Sequence, residues 1–122
     1  MIIMKHSETN PEKIRDGAER RITNLEKLMI ALIDLHDGPT NQPDPPHSHP
    51  HEQITYVAAG EILVIAGETS AKLGPGDMFA IPSGEPHSIQ QLTEHVRLVD
   101  CFTPLREDFL KESSPAAANH HE

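Results

Sequence analysis

Short apolar runs, each broken after four to nine residues by Gly, Pro or Asp, constrain this chain more than any other feature. The runs are Arg21–Asn24, Leu28–His36, Gln53–Ala58, Ile62–Ala66, Ser70–Leu73, Met78–Ile81, His87–Gln91 and His95–Phe102. Strands this short and this closely spaced predict an all-β sandwich or barrel rather than βαβ units. The breaks at Ala59-Gly60-Glu61 and Gly67-Glu68 predict hairpin turns. The stretch Gly38–Pro46 (GPTNQPDPP) cannot sit inside a sheet, because proline has no amide proton to give to a ladder. Sustained helical amphipathicity is missing, and only Arg106–Lys111 predicts a short helical turn near the C-terminus.

With 122 residues there is room for one core. Residues 1–17 read as a polar arm, 18–112 as the barrel, and 113–122 as a flexible tail whose His120 and His121 carry no functional weight. Three Phe, one Tyr and no Trp leave the core to be filled by Ile, Leu, Val, Met and Ala. A formal net charge of −9 argues against a nucleic-acid partner, which needs a clustered basic surface. The single cysteine, Cys101, excludes an intramolecular disulfide and suits a reducing compartment. The N-terminus lacks the apolar stretch of a signal peptide and no apolar run approaches a bilayer-spanning length, so a cytoplasmic protein with no membrane partner is expected.

Nine histidines are present, and their spacing matters more than their number. His47, His49 and Gln53 share parity, so an extended chain would put all three on one face. Two imidazoles and an amide oxygen are competent ligands for a divalent ion. A solvated His-rich loop after a Pro run has the same spacing, and that tract alone leaves both readings open.

A second segment, GPGDMFAIPSGEPHSIQQ (residues 74–91), reads as turn, strand, turn and then His87. Together the two segments resemble the paired signature motifs of the cupin superfamily. The first motif falls on His47, His49, Gln53 and Gly60, the second on Gly76, Pro82, Gly84 and His87. The resemblance implies a double-stranded β-helix, the cupin jelly-roll barrel. It also implies one divalent metal held by His47, His49, Gln53 and His87, with His51 in a supporting position. Two positions depart from the pattern: Asn41 replaces a customary glycine, and Gln53 replaces the customary glutamate. A neutral oxygen donor leaves more of the metal's charge uncompensated, which favours Lewis-acid work over redox cycling. Ni, Zn, Fe and Mn all tolerate such a donor set. His36 and His95, at the edges of apolar runs, read as ordinary edge histidines.

On the run His95–Phe102, the parity of Val96, Leu98, Asp100 and Phe102 is the more apolar and should face inward. That carries Asp100 into the barrel, where a carboxylate is costly without a partner or a task. A flipped or bulged strand, with Asp100 in solvent, fits the same pattern. HSHPHEQ followed by YVAAGE, with GAERRI upstream and DCFTPLREDFL downstream, is similar to KdgF-type cupins of pectin and alginate breakdown. This likeness implies ring opening and tautomerisation of a small 4,5-unsaturated monouronate to a linear keto sugar acid, by a homodimer. It implies that Asp100 moves a proton, Arg106 pairs with the substrate carboxylate, and Phe102 forms an apolar wall. The competing classes are an iron-dependent cupin dioxygenase, a non-enzymatic sugar-binding cupin and a metal-free storage jelly roll.

Overall fold

The computed structural model describes residues 1–112. A single 3-10 turn, His6–Glu8, comes first. Nine strands follow: β1 (Glu12–Arg15), β2 (Ala18–Asn24), β3 (Met29–Leu35), β4 (Glu52–Ala59), β5 (Ile62–Ala66), β6 (Thr69–Leu73), β7 (Met78–Ile81), β8 (Ser88–Gln91) and β9 (Val96–Thr103), then helix α1 (Glu107–Glu112). A six-stranded sheet in the order β1-β2-β3-β9-β4-β7 faces a three-stranded sheet β6-β5-β8, with every pairing antiparallel. The all-β jelly-roll expectation is met, and α1 supplies the expected C-terminal turn. Residues 113–122, including His120 and His121, lie outside the described residues.

The N-terminal segment carries more order than its composition suggests. Within the expected arm, β1 forms the edge of the larger sheet and pairs with β2 around a two-residue Asp16-Gly17 loop. Gly17 there takes φ +77°, and Asp-Gly between two runs is a hairpin signal that could have placed this strand.

Strict alternation in β4 buries Gln53, Thr55 and Val57 while Glu52, Ile54 and Tyr56 face solvent. In β9 it buries Val96, Leu98 and Phe102. The core is built from Met29, Ala31, Ile33, Leu35, Val57, Ile62, Val96, Leu98 and Phe102, so aliphatic side chains fill the volume as the composition requires. Two registers position the site: β4 pairs with β9 so that Thr55 lies opposite Asp100 and Gln53 opposite Phe102.

The Pro-rich segment lies along the open edge of β8. Thr40 N–H donates to the Gln91 carbonyl at 3.0 Å and Asp44 N–H to the Ile89 carbonyl at 2.9 Å. With Gly38 N–H donating to the Glu94 carbonyl and His47 N–H to the His87 carbonyl, the prolines at 39, 43, 45 and 46 fall between the donors Gly38, Thr40, Asp44 and His47, where no amide proton is needed. The segment therefore covers an edge strand that would otherwise be open. It ends by bringing His47 opposite His87, and the two exchange backbone hydrogen bonds at 3.0 and 2.9 Å.

Candidate metal centre

Three imidazoles converge at the barrel mouth. One ring nitrogen from each of His47, His49 and His87 lies within 4.8 Å of the others. The ring centroids are 4.4 Å apart for His47–His87, 5.0 Å for His49–His87 and 5.6 Å for His47–His49. The convergence does not come from one extended strand, as parity suggested. β4 starts only at Glu52, and the chain bends at Pro50-His51. His47 is placed by its bridge to His87, whereas His49 is held where its carbonyl accepts the Gly84 N–H at 2.8 Å. Gln53 enters separately, as the first buried residue of β4.

The hydrogen bonds around these rings show what the cluster can hold. His87 Nδ1 lies 2.9 Å from the Glu85 carbonyl, and His49 Nδ1 lies 3.0 Å from the His51 carbonyl. A carbonyl only accepts, so each Nδ1 carries the proton and each Nε2 is left with a lone pair. His87 Nε2 is buried without a hydrogen-bond partner. His49 Nε2 lies 3.1 Å from Gln53 Oε1, a second acceptor. Double protonation of His49 would resolve that contact, but burial and then the nearby Arg106 charge hold its pKa below the ordinary value. A cation shared by the two acceptors resolves it instead. Backbone carbonyls on the far nitrogens are also the usual way to orient metal-binding imidazoles. His47 is exposed on its outer side, yet desolvation of its ring and the neighbouring His87 lower its pKa as well. Neutral imidazoles are the form that binds metal, so the residues present fit a divalent ion.

Beside the cluster, Asp100 projects inward, as the parity of β9 predicted. Desolvation pushes its pKa up to about 6, opposed by the Thr55 hydrogen bond and the Arg106 charge. Thr55 Oγ1 donates to Asp100 Oδ1 at 2.7 Å and accepts from Gln53 Nε2 at 2.9 Å. The structure therefore runs an unbroken chain of contacts from His49 through Gln53 and Thr55 to Asp100. Sequence reasoning missed Thr55, although it shares the inward parity of Gln53. Phe102 packs edge-on against His49 with centroids 5.8 Å apart, so it buttresses a cluster ring. Arg106 stacks over Phe109 at 4.1 Å and grips Asp108 with two bonds of 3.0 and 2.7 Å. His51 offers its carbonyl to His49, and the two rings tilt against one another with centroids 5.6 Å apart. His36 and His95 stack on one another with centroids 5.3 Å apart, and His95 pairs with Asp34 rather than with the cluster.

The cupin domain profile matches residues 36–102. The chain belongs to the cupin family. This cupin is 36% identical over 105 residues to the pectin degradation protein KdgF of Dickeya dadantii (strain 3937), across 84% of its own length and 93% of that protein's. Among solved structures it is similar to KdgF from Halomonas sp., with a TM-score of 0.78 and 28% identity, covering 86% of this chain and 96% of that one. It is equally similar to an RmlC-like cupin from Shewanella frigidimarina NCIMB 400, with a TM-score of 0.78 and 31% identity, covering 87% and 93%. It is thus a KdgF-like cupin whose three-histidine cluster can bind a metal ion.

Proposed function

We propose that this cupin is a metal-dependent enzyme that opens 4,5-unsaturated monouronates to linear keto sugar acids. The observation that carries the proposal is a partly desolvated carboxylate, Asp100, hydrogen-bonded through Thr55 to Gln53 beside the three-histidine cluster. The kinship with KdgF proteins supports the substrate class. His47, His49, His87 and Gln53 Oε1 would hold one divalent ion, which when bound supplies Lewis-acid polarisation of substrate oxygens.

The residues divide the remaining work. Arg106 offers a guanidinium fork to the substrate carboxylate, in the two-bond geometry it already makes with Asp108. Phe102 and Phe109, with centroids 5.6 Å apart, form the apolar side against the sugar face. Ring opening removes the proton from the anomeric hydroxyl, forms the C1 carbonyl and breaks the C1–O5 bond, leaving an enol at C4–C5. Tautomerisation then adds a proton at C4 and converts the C5 enol to a ketone, so the net change is an isomerisation with no oxidant. A carboxyl with a pKa of about 6 takes the first proton and returns one near neutral pH. We include a homodimer in this reading. It is supported by Ile30, Ile54, Tyr56 and Met78, exposed apolar side chains on the outer face of the larger sheet. Light scattering should give twice the 13.5 kDa chain mass. For the activity, metal-loaded protein is mixed with unsaturated galacturonate or mannuronate and the ultraviolet absorbance of the conjugated double bond is followed. Loss of absorbance faster than in buffer, abolished by a chelator, is expected; no acceleration with metal bound overturns the substrate assignment.

A further inference from the structure

A glutamine ligand raises a problem that a glutamate does not. A carboxylate presents an oxygen whichever way it turns, but a side-chain amide has a donor end that repels a cation. Gln53 is buried, 7% exposed, so water does not set its orientation. Something in the protein must point Oε1 inward.

We infer that Thr55 is a positioning residue whose hydroxyl holds the oxygen end of Gln53 toward the metal cluster and couples that amide to Asp100. An ionised Asp100 can only accept, so the one Thr55 proton goes to Oδ1 at 2.7 Å. The Thr55 oxygen is then left as an acceptor, and it takes an N–H from Gln53 Nε2 at 2.9 Å. The opposite end of the amide, Oε1, is therefore the end 3.1 Å from His49 Nε2. Each bond in the series sets the direction of the next, beginning from the carboxylate. Thr55 has no accessible surface, so no water competes for its hydroxyl. Its place opposite Asp100 in the β4–β9 register, two residues along from Gln53 on the same face, lets one side chain reach both. A merely structural buried threonine would need one partner for its hydroxyl; this one is spent on two residues of the site.

The inference rests on the metal reading of the cluster, and the test separates the two. Co²⁺ is titrated into chelator-treated full-length protein, following the visible spectrum, which reports the donor set. Wild type and Thr55→Ser should bind alike. The near-isosteric Thr55→Val should bind about 10- to 100-fold more weakly, the usual cost of losing a partner that orients a ligand, with a changed spectrum. Adding Gln53→Glu to Thr55→Val should restore affinity, because a carboxylate has no wrong end. Thr55→Ala, scored the same way, replaces the valine variant if that one fails to fold. The inference is overturned if Thr55→Val binds Co²⁺ with wild-type affinity and spectrum, or if the Gln53→Glu/Thr55→Val protein stays as weak as the single variant. If wild type binds no Co²⁺, the metal reading falls first and this inference with it.

Discussion

Replacing Asp100 by asparagine should separate stability from chemistry in opposite directions. The folded carboxyl has its pKa raised from 3.8 to about 6, chiefly by desolvation. At about 1.4 kcal/mol per tenfold, ionising Asp100 in the folded protein is about 3 kcal/mol harder than in the unfolded chain. The sign follows from which state holds the proton. Between pH 3.8 and about 6 the unfolded chain ionises while the folded protein still holds its proton, so stability falls across that window, and the penalty is complete above it. Asparagine has nearly the same shape, still accepts from Thr55 and carries no charge. In metal-free protein, Asp100→Asn should therefore match wild type near pH 3.5 and exceed it by up to about 3 kcal/mol at pH 8. Urea unfolding at the two pH values, with equal m-values, measures the difference. The same substitution should lower turnover of the unsaturated uronate by about 10²- to 10⁴-fold, since the proton carrier is gone. A stability difference that is absent at both pH values, or a loss that grows with pH, would refute the reasoning: Asp100 would then be solvated, as the flipped-strand reading holds.

Arg106→Lys keeps the charge but removes the fork that grips Asp108, so kcat/KM for the uronate should fall about 10- to 100-fold, mostly through KM, in steady-state kinetics. An unchanged KM would move substrate binding elsewhere. Asp34, 2% exposed, holds Arg97 at 2.8 and 3.2 Å, Arg21 at 3.6 Å and His95 at 3.1 Å. Although burial opposes its ionisation, bonds from Arg97 and His95 hold its pKa below the ordinary 3.8, so its contribution is present above that pH and lost as acid protonates it. Asp34→Asn should cost about 3 kcal/mol at pH 7, the low end for a broken buried pair because Arg97 is partly solvated, and much less near pH 2 in denaturation curves. Gly60 sits at φ +75°, and a Cβ there would press on the His95 carbonyl oxygen. Gly60→Ala should lose about 1–3 kcal/mol of stability by thermal unfolding, and a neutral effect would mean the β4–β5 turn rearranges freely.

Much of this protein was legible before any coordinates. The breaker rhythm defined the strands, because a strand needs only a few residues and turn chemistry is local. Parity turned Asp100 and Phe102 inward, because a strand's side chains alternate wherever it lies in a sheet. Motif spacing singled out His47, His49 and His87, although the local geometry that joins them differs from an extended strand. The Asp16-Gly17 pair also encodes its hairpin locally, through the positive φ that glycine takes readily. What remained depended on which strands are neighbours, and antiparallel register is set by pairing between segments far apart in sequence. That pairing placed Thr55 opposite Asp100 and let the Pro-rich segment carry His47 to His87. The sequence by itself determined which residue types could meet a metal. Only the tertiary structure decided the direction of the hydrogen bonds that aim them, because that direction depends on what stands across the sheet.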